Sequence, residues 1–136
     1  MATRQELKEL AQRRLREAEA LFHAGLYDGC VYMCGYVVEL ALKACICATL
    51  GIAEYPDRRA HFRTHDFDEL RLLAGLEQEI TAANPALLRN WSVATSWSPE
   101  WRYQPVGTNP RSKAEAVLEA IRMNPDGVLA YISRRW

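Results

Sequence analysis

The sequence predicts an all-α protein, an antiparallel up-down bundle of four to five helices forming one domain over residues 1–136. Three observations lead there: apolar residues recur at helical spacing through most of the chain, no stretch alternates with a period of two, and residues that start or stop helices sit at the ends of the periodic runs. No internal repeat divides the chain.

The first helix opens on Thr3 with Glu6 three residues later, a capping-box pattern, and its apolar set runs Leu7, Leu10, Ala11, Leu15, Ala18, Leu21 and Phe22. Gly25 suits the left-handed position that ends such a helix, and Leu26 can supply the apolar contact that follows it. A second helix is predicted from Asp28 to Leu50, stopped by Gly51 and apolar on nearly every face, as a helix with neighbours on several sides should be. Its single polar stripe is Asp28, Tyr32, Gly35, Glu39 and Lys43, spaced three or four residues apart and therefore stacked along one line. That stripe must face water, a partner subunit or a cavity.

Residues 52–63 hold a proline and several charges without a period and read as a linker at the rim. A third helix is predicted to begin near Thr64 to Asp66, burying Phe67, Leu70, Leu73 and Leu76. Asn84-Pro85 pairs a capping residue with proline at the first helical position, and Leu87, Leu88, Trp91, Ala94 and Thr95 face inward after it. The stretch Ser96 to Pro105, "SWSPEWRYQP", is kept irregular by its prolines. A helical region from Ser112 buries Ala114, Val117, Leu118 and Ile121, and Asn124-Pro125 breaks it and restarts a short helix carrying Val128, Leu129, Ile132 and Trp136.

Charge limits what the protein can do. Seventeen basic residues balance seventeen acidic ones, so no global field draws the chain onto nucleic acid, and any binding of RNA or nucleotide must come from a local patch. Cys30, Cys34, Cys45 and Cys47 all fall on the second helix, without zinc-knuckle spacing, and read as buried free thiols of a reducing cytoplasm. Neither a metal nor a cofactor is expected. The charged, amphipathic start lacks the apolar core of a signal peptide, and Glu39 and Lys43 interrupt the apolar run Val31 to Leu50, which argues against a membrane span. P-loop, Rossmann, zincin and serine-hydrolase motifs are absent from the sequence.

Three groups of residues are candidates for chemistry. Glu39 and Lys43, spaced i to i+4 with the acid first, form either a surface ion pair or part of a site. His65 is either a capping-region histidine or, with Arg58 or Arg59 six and five residues upstream of it in the intervening count, a pair able to cleave RNA. In that chemistry arginine stabilises charge on the phosphorane and histidine moves a proton. Arg102-Tyr103 is the third group. Trp97, Trp101 and Tyr103 are expected to brace the irregular segment while Arg102 points at a phosphate, or else pairs with Glu39 or Glu100.

Taken in order, "GLYDGCVYMCGYVVELALKA" (Gly25 to Ala44), "THDFDELRLL" (Thr64 to Leu73) and "WRYQP" (Trp101 to Pro105) resemble the HEPN domain, the higher-eukaryote and prokaryote nucleotide-binding family of helical bundles. The resemblance implies an up-down bundle, a homodimer, and a ligand that is nucleotide or RNA. It also implies a partner, since small HEPN proteins often accompany a minimal nucleotidyltransferase or another effector, and several act as ribonucleases in toxin–antitoxin or antiviral defence systems. In the ribonuclease members an arginine and a histidine start a late helix, whereas no histidine follows Arg102 in "RYQPVGTNP". Gln104 also stands where this branch would place proline. The expectation is therefore a non-catalytic binding module with ligand-binding candidates Arg102, Tyr103, Lys43, Glu39 and His65. The alternative is a metal-independent ribonuclease using His65 with Arg59 or Arg58.

Overall fold

The computed structural model describes residues 2–136. At its start the Thr3 side chain accepts from the Glu6 backbone N–H at 3.1 Å while the Glu6 carboxylate accepts from the Thr3 N–H at 2.8 Å. This reciprocal cap opens α1 (Arg4–His23). At the other end Gly25, at φ 77°, takes the left-handed position, so that its N–H reaches Phe22 O and the Leu26 N–H reaches Leu21 O. These are the two hydrogen bonds of a Schellman turn. The chain reverses within three residues into α2 (Tyr27–Leu50), and α1 and α2 pack as an antiparallel hairpin.

Four shorter helices complete the bundle: α3 (Phe67–Leu73), α4 (Pro85–Ala94), α5 (Arg111–Arg122) and α6 (Val128–Ser133). Two 3-10 turns, Ala60–Phe62 and Pro99–Tyr103, lie in the connections. The described residues form six helices, the sixth being the short helix expected after the break at Asn124-Pro125, begun at Val128 rather than at the proline. Among the described residues there is no strand, only an isolated bridge between Thr3 and Glu54.

The core sits around α2, which packs against every other helix. Val31, Val38, Leu42 and Ile46 are fully buried, as are the four cysteines, all free thiols. Val117, Leu118 and Ile121 of α5, Ile132 of α6, Leu87 of α4 and Leu70 of α3 close around them. By length and hydropathy α2 would also suit a membrane span, yet 72% of its most apolar window is buried by the rest of this chain. Its all-round apolar surface is accounted for by neighbours.

The stretch 52–63 is more than a rim linker. Its backbone is fastened to the N-terminus by Arg4 N–H to Ala53 O and Tyr55 N–H to Ala2 O, each 2.9 Å. Tyr55 is buried, and its hydroxyl donates to Phe62 O at 2.6 Å.

Candidate functional site

The polar stripe of α2 positions the candidate residues, and the protein's own chain covers much of it, burying Gly35 and Glu39 and leaving Asp28, Tyr32 and Lys43 partly exposed. Near the start of α2 the Asp28 carboxylate accepts from Gly107 N–H at 2.7 Å and from both the backbone and side-chain N–H groups of Asn109 at 2.9 Å. Those bonds hold its pKa below the ordinary aspartate range, the Gly107 N–H contributing most. One turn on, Tyr32 O accepts from the Trp97 indole N–H at 3.1 Å. Gly35 comes next, and the Trp97 ring lies directly on it: a Cβ there would stand 2.0 Å from the ring. Only glycine lets the indole settle so deep.

Trp97 in turn packs against Tyr36, with ring centroids 5.0 Å apart, against Tyr32 at 6.1 Å and against Phe67 of α3 at 5.7 Å. The Tyr32 and Tyr36 hydroxyls hydrogen-bond at 3.1 Å. Burial, then Tyr32, then the negative charge of Glu39 push Tyr36 up to about 12, with Arg102 acting weakly in the opposite direction.

Glu39 is buried, its side chain only 5% exposed, and is not part of a solvated pair. One carboxylate oxygen accepts from His65 Nδ1 and the other lies 3.8 Å from Lys43 Nζ. Lys43 also sits over the Tyr55 ring at 5.1 Å. The structure thus brings His65, from the start of the third helix, onto the Glu39–Lys43 pair of α2. The arrangement leaves His65 half exposed at the mouth of a cleft that also includes Asp66, Phe67, Asp68, Thr95 and Trp97. Asp66, next to it, caps α3 by accepting from the N–H groups of Asp68 and Glu69.

Arg102 does not join that group. An ion pair with Glu39 was one expectation, and it is not formed, because His65 and Lys43 occupy the carboxylate. No ion pair with Glu100 forms either among the described residues. Arg102 is exposed instead on the Pro99–Tyr103 turn, where it donates one hydrogen bond to Pro99 O at 3.1 Å and stacks 4.6 Å from the Tyr103 ring. Contact with the Tyr103 side chain, with smaller contributions from Glu100 and Tyr32, raises its pKa further above the arginine norm, so it stays a cation.

Tyr103 was expected to brace the segment and does not: it is 71% exposed. The bracing falls to Trp97 and Trp101, both packed on the core, with Lys113 stacked 4.3 Å from the Trp101 ring. Geometry explains the split. In a 3-10 turn each residue advances by about 120°, so when Trp101 points inward Arg102 and Tyr103 take the other two directions.

Arg58 and Arg59 are exposed on the turn before Ala60–Phe62, and no hydrogen bond or ion pair joins either to His65 or Glu39 among the described residues. Sequence reasoning missed the partners of the stripe. Asn109, buried beside Asp28, carried no sequence signal, while Gly35 was a signal that something approaches the helix there.

No curated protein and no solved structure matches the chain. A family comparison does: the HEPN domain matches residues 4–123. The matched span runs from the first residue of α1 to just past α5 and contains the whole stripe with its cover. With nearly all of its length accounted for by that match, the chain belongs to the HEPN domain family.

Proposed function

We propose that the protein is a nucleotide- or RNA-binding module that takes a phosphate on Arg102. The observation that carries this reading is the state of that guanidinium. It is exposed on a turn held by Trp97 and Trp101, donates to Pro99 O, and is in no ion pair among the described residues. A braced, exposed arginine suits a planar bidentate anion. Membership of the HEPN family supports a nucleotide- or RNA-related ligand. Resemblance to the small HEPN proteins supports the finer setting: a cytoplasmic homodimer working beside a minimal nucleotidyltransferase or another effector, in a toxin–antitoxin or defence system. Lys43, engaged with Glu39, serves the scaffold of the site rather than the ligand.

The Glu39–His65 hydrogen bond favours a second reading, a metal-independent ribonuclease. A buried carboxylate on Nδ1 orients the imidazole and leaves Nε2 for a proton transfer. What this reading lacks is an arginine beside the histidine. One experiment separates the two: purified protein is incubated with RNA in excess chelator and its binding measured in parallel. The expected result is no cleavage, with binding that Arg102→Ala weakens while thermal stability stays within about 0.5 kcal/mol of the parent, because the side chain is exposed. Cleavage abolished by His65→Ala would overturn the binding-module reading in favour of the ribonuclease.

A further inference from the structure

We infer that the Arg102–Tyr103 pair is a reader of unpaired nucleotides: a base stacks on the open face of Tyr103 while its phosphate is held by Arg102. The inference rests on the phosphate reading of Arg102 and adds the class of nucleic acid. Its starting point is an exposed aromatic that folding does not need. Tyr103 is 71% exposed and is absent from the residues packed on the core, although it belongs to the turn whose Trp101 is packed there. The guanidinium of Arg102, with its carbon 4.6 Å from the ring centroid, covers part of the ring and restricts its motion. The rest of the ring is in water. Val106, three residues on, is fully exposed.

A ring held in this way by a cation offers a base a stacking surface and its phosphate a partner within one residue. Alanine substitutions at such aromatic platforms in single-strand binders weaken binding about 5- to 150-fold per base. A duplex cannot use the surface, because its bases are already stacked on each other and one protruding ring does not repay unstacking them. Charge points the same way. The chain's seventeen cations and seventeen anions give no extended field to track a duplex backbone, so stacking must supply affinity that phosphate contacts do not. The turn is also placed firmly: Asp28 fastens Gly107 and Asn109 on one side, and Trp97 seated on Gly35 fastens the other.

The test is fluorescence anisotropy with three probes of one length, a single-stranded RNA, its duplex and a single strand with abasic sites throughout, and with AMP as competitor. Tyr103→Ala, Tyr103→Phe and Arg102→Ala are compared with the parent, and circular dichroism checks that each folds. The expected result is single-strand binding about tenfold or more tighter than to duplex or abasic strand. Tyr103→Ala should bring it down to the abasic level, Tyr103→Phe should retain it, and Arg102→Ala should weaken every probe. The salt dependence should be shallow, with a slope of about −0.7 to −1.4 for one or two phosphates on a single strand. AMP competing at the strand's own nucleotide concentration would assign the site to free nucleotide, and competition only at far higher concentration to the strand; either result keeps the stacked base. Equal binding of abasic and intact strands, still lowered by Arg102→Ala, would overturn the stacked base and leave the phosphate reading standing. Failure of every probe to bind would overturn both.

Discussion

Asp28 shows what a single side chain can decide here. An aspartate in the first turn of a helix ordinarily complements the helix dipole, and nothing more is legible in its sequence position. The structure gives it three N–H donors from the segment after the Pro99–Tyr103 turn, and these depress its pKa, Gly107 foremost. The sign of the linkage follows. A carboxylate whose folded pKa is depressed contributes stability that is fully present above the unfolded aspartate pKa and is lost as pH falls through the folded one. Acid should therefore release the 107–109 segment at a pH below that at which a free aspartate titrates. An NMR titration from about pH 6 to pH 2 should show the Gly107 and Asn109 amides moving together with a midpoint below the ordinary aspartate value. A midpoint at or above that value would mean that the carboxylate is not held by those donors in solution. In Asp28→Asn the same amides should lose this transition.

For the elements, most of the architecture was readable and most of the site was not, for one physical reason. Helix ends are local: Thr3 with Glu6, Gly25, Asn84 with Pro85 and the Asp66 cap each act within four residues, so the sequence exposes them and the structure agrees. The cover of the α2 stripe depends on contacts between residues 65 to 81 positions apart, which no local pattern reports. Gly35 is the exception, a gap in a helix that invited an occupant. Its occupant, Trp97, yields a prediction about the helix and the turn together. Alanine is worth about 1 kcal/mol over glycine in an exposed helix, so propensity alone would make Gly35→Ala stabilising. Steric conflict wins. A methyl group 2.0 Å from the indole forces the ring out, breaks the Trp97 bond to Tyr32 O and loosens the Pro99–Tyr103 turn. Such overpacking costs about 1–3 kcal/mol. Denaturant melts should show Gly35→Ala less stable than the parent, and adding Trp97→Ala should remove the conflict, so the pair should be less damaging than the sum of the two changes. If Gly35→Ala proves as stable as the parent with unchanged tryptophan fluorescence, the seating of Trp97 on α2 is wrong.

Across the whole molecule, α2 is the common partner of the other five helices and of the Pro99–Tyr103 turn, so the site and the core share one support. The sequence showed this as an unusual property of one helix, apolar faces in every direction, without saying which neighbour lay where. A shared support predicts cooperative behaviour. Leu42 is fully buried on α2, and Leu42→Ala removes apolar volume from the centre at a cost of about 2–5 kcal/mol. That is a large share of the roughly 5–15 kcal/mol available to a domain of this size. The variant should still fold, with its midpoint lowered, and its helical circular dichroism and its tryptophan fluorescence should be lost in one coincident transition. Leu72, more than half exposed on α3, is the contrasting site: Leu72→Ala should change stability by no more than about 0.5 kcal/mol. If Leu42→Ala instead loses tryptophan fluorescence well before helicity, the turn that carries Arg102 and Tyr103 opens independently of the bundle. The proposed anion site would then have to be treated as a mobile segment docked on α2, and not as part of one rigid core.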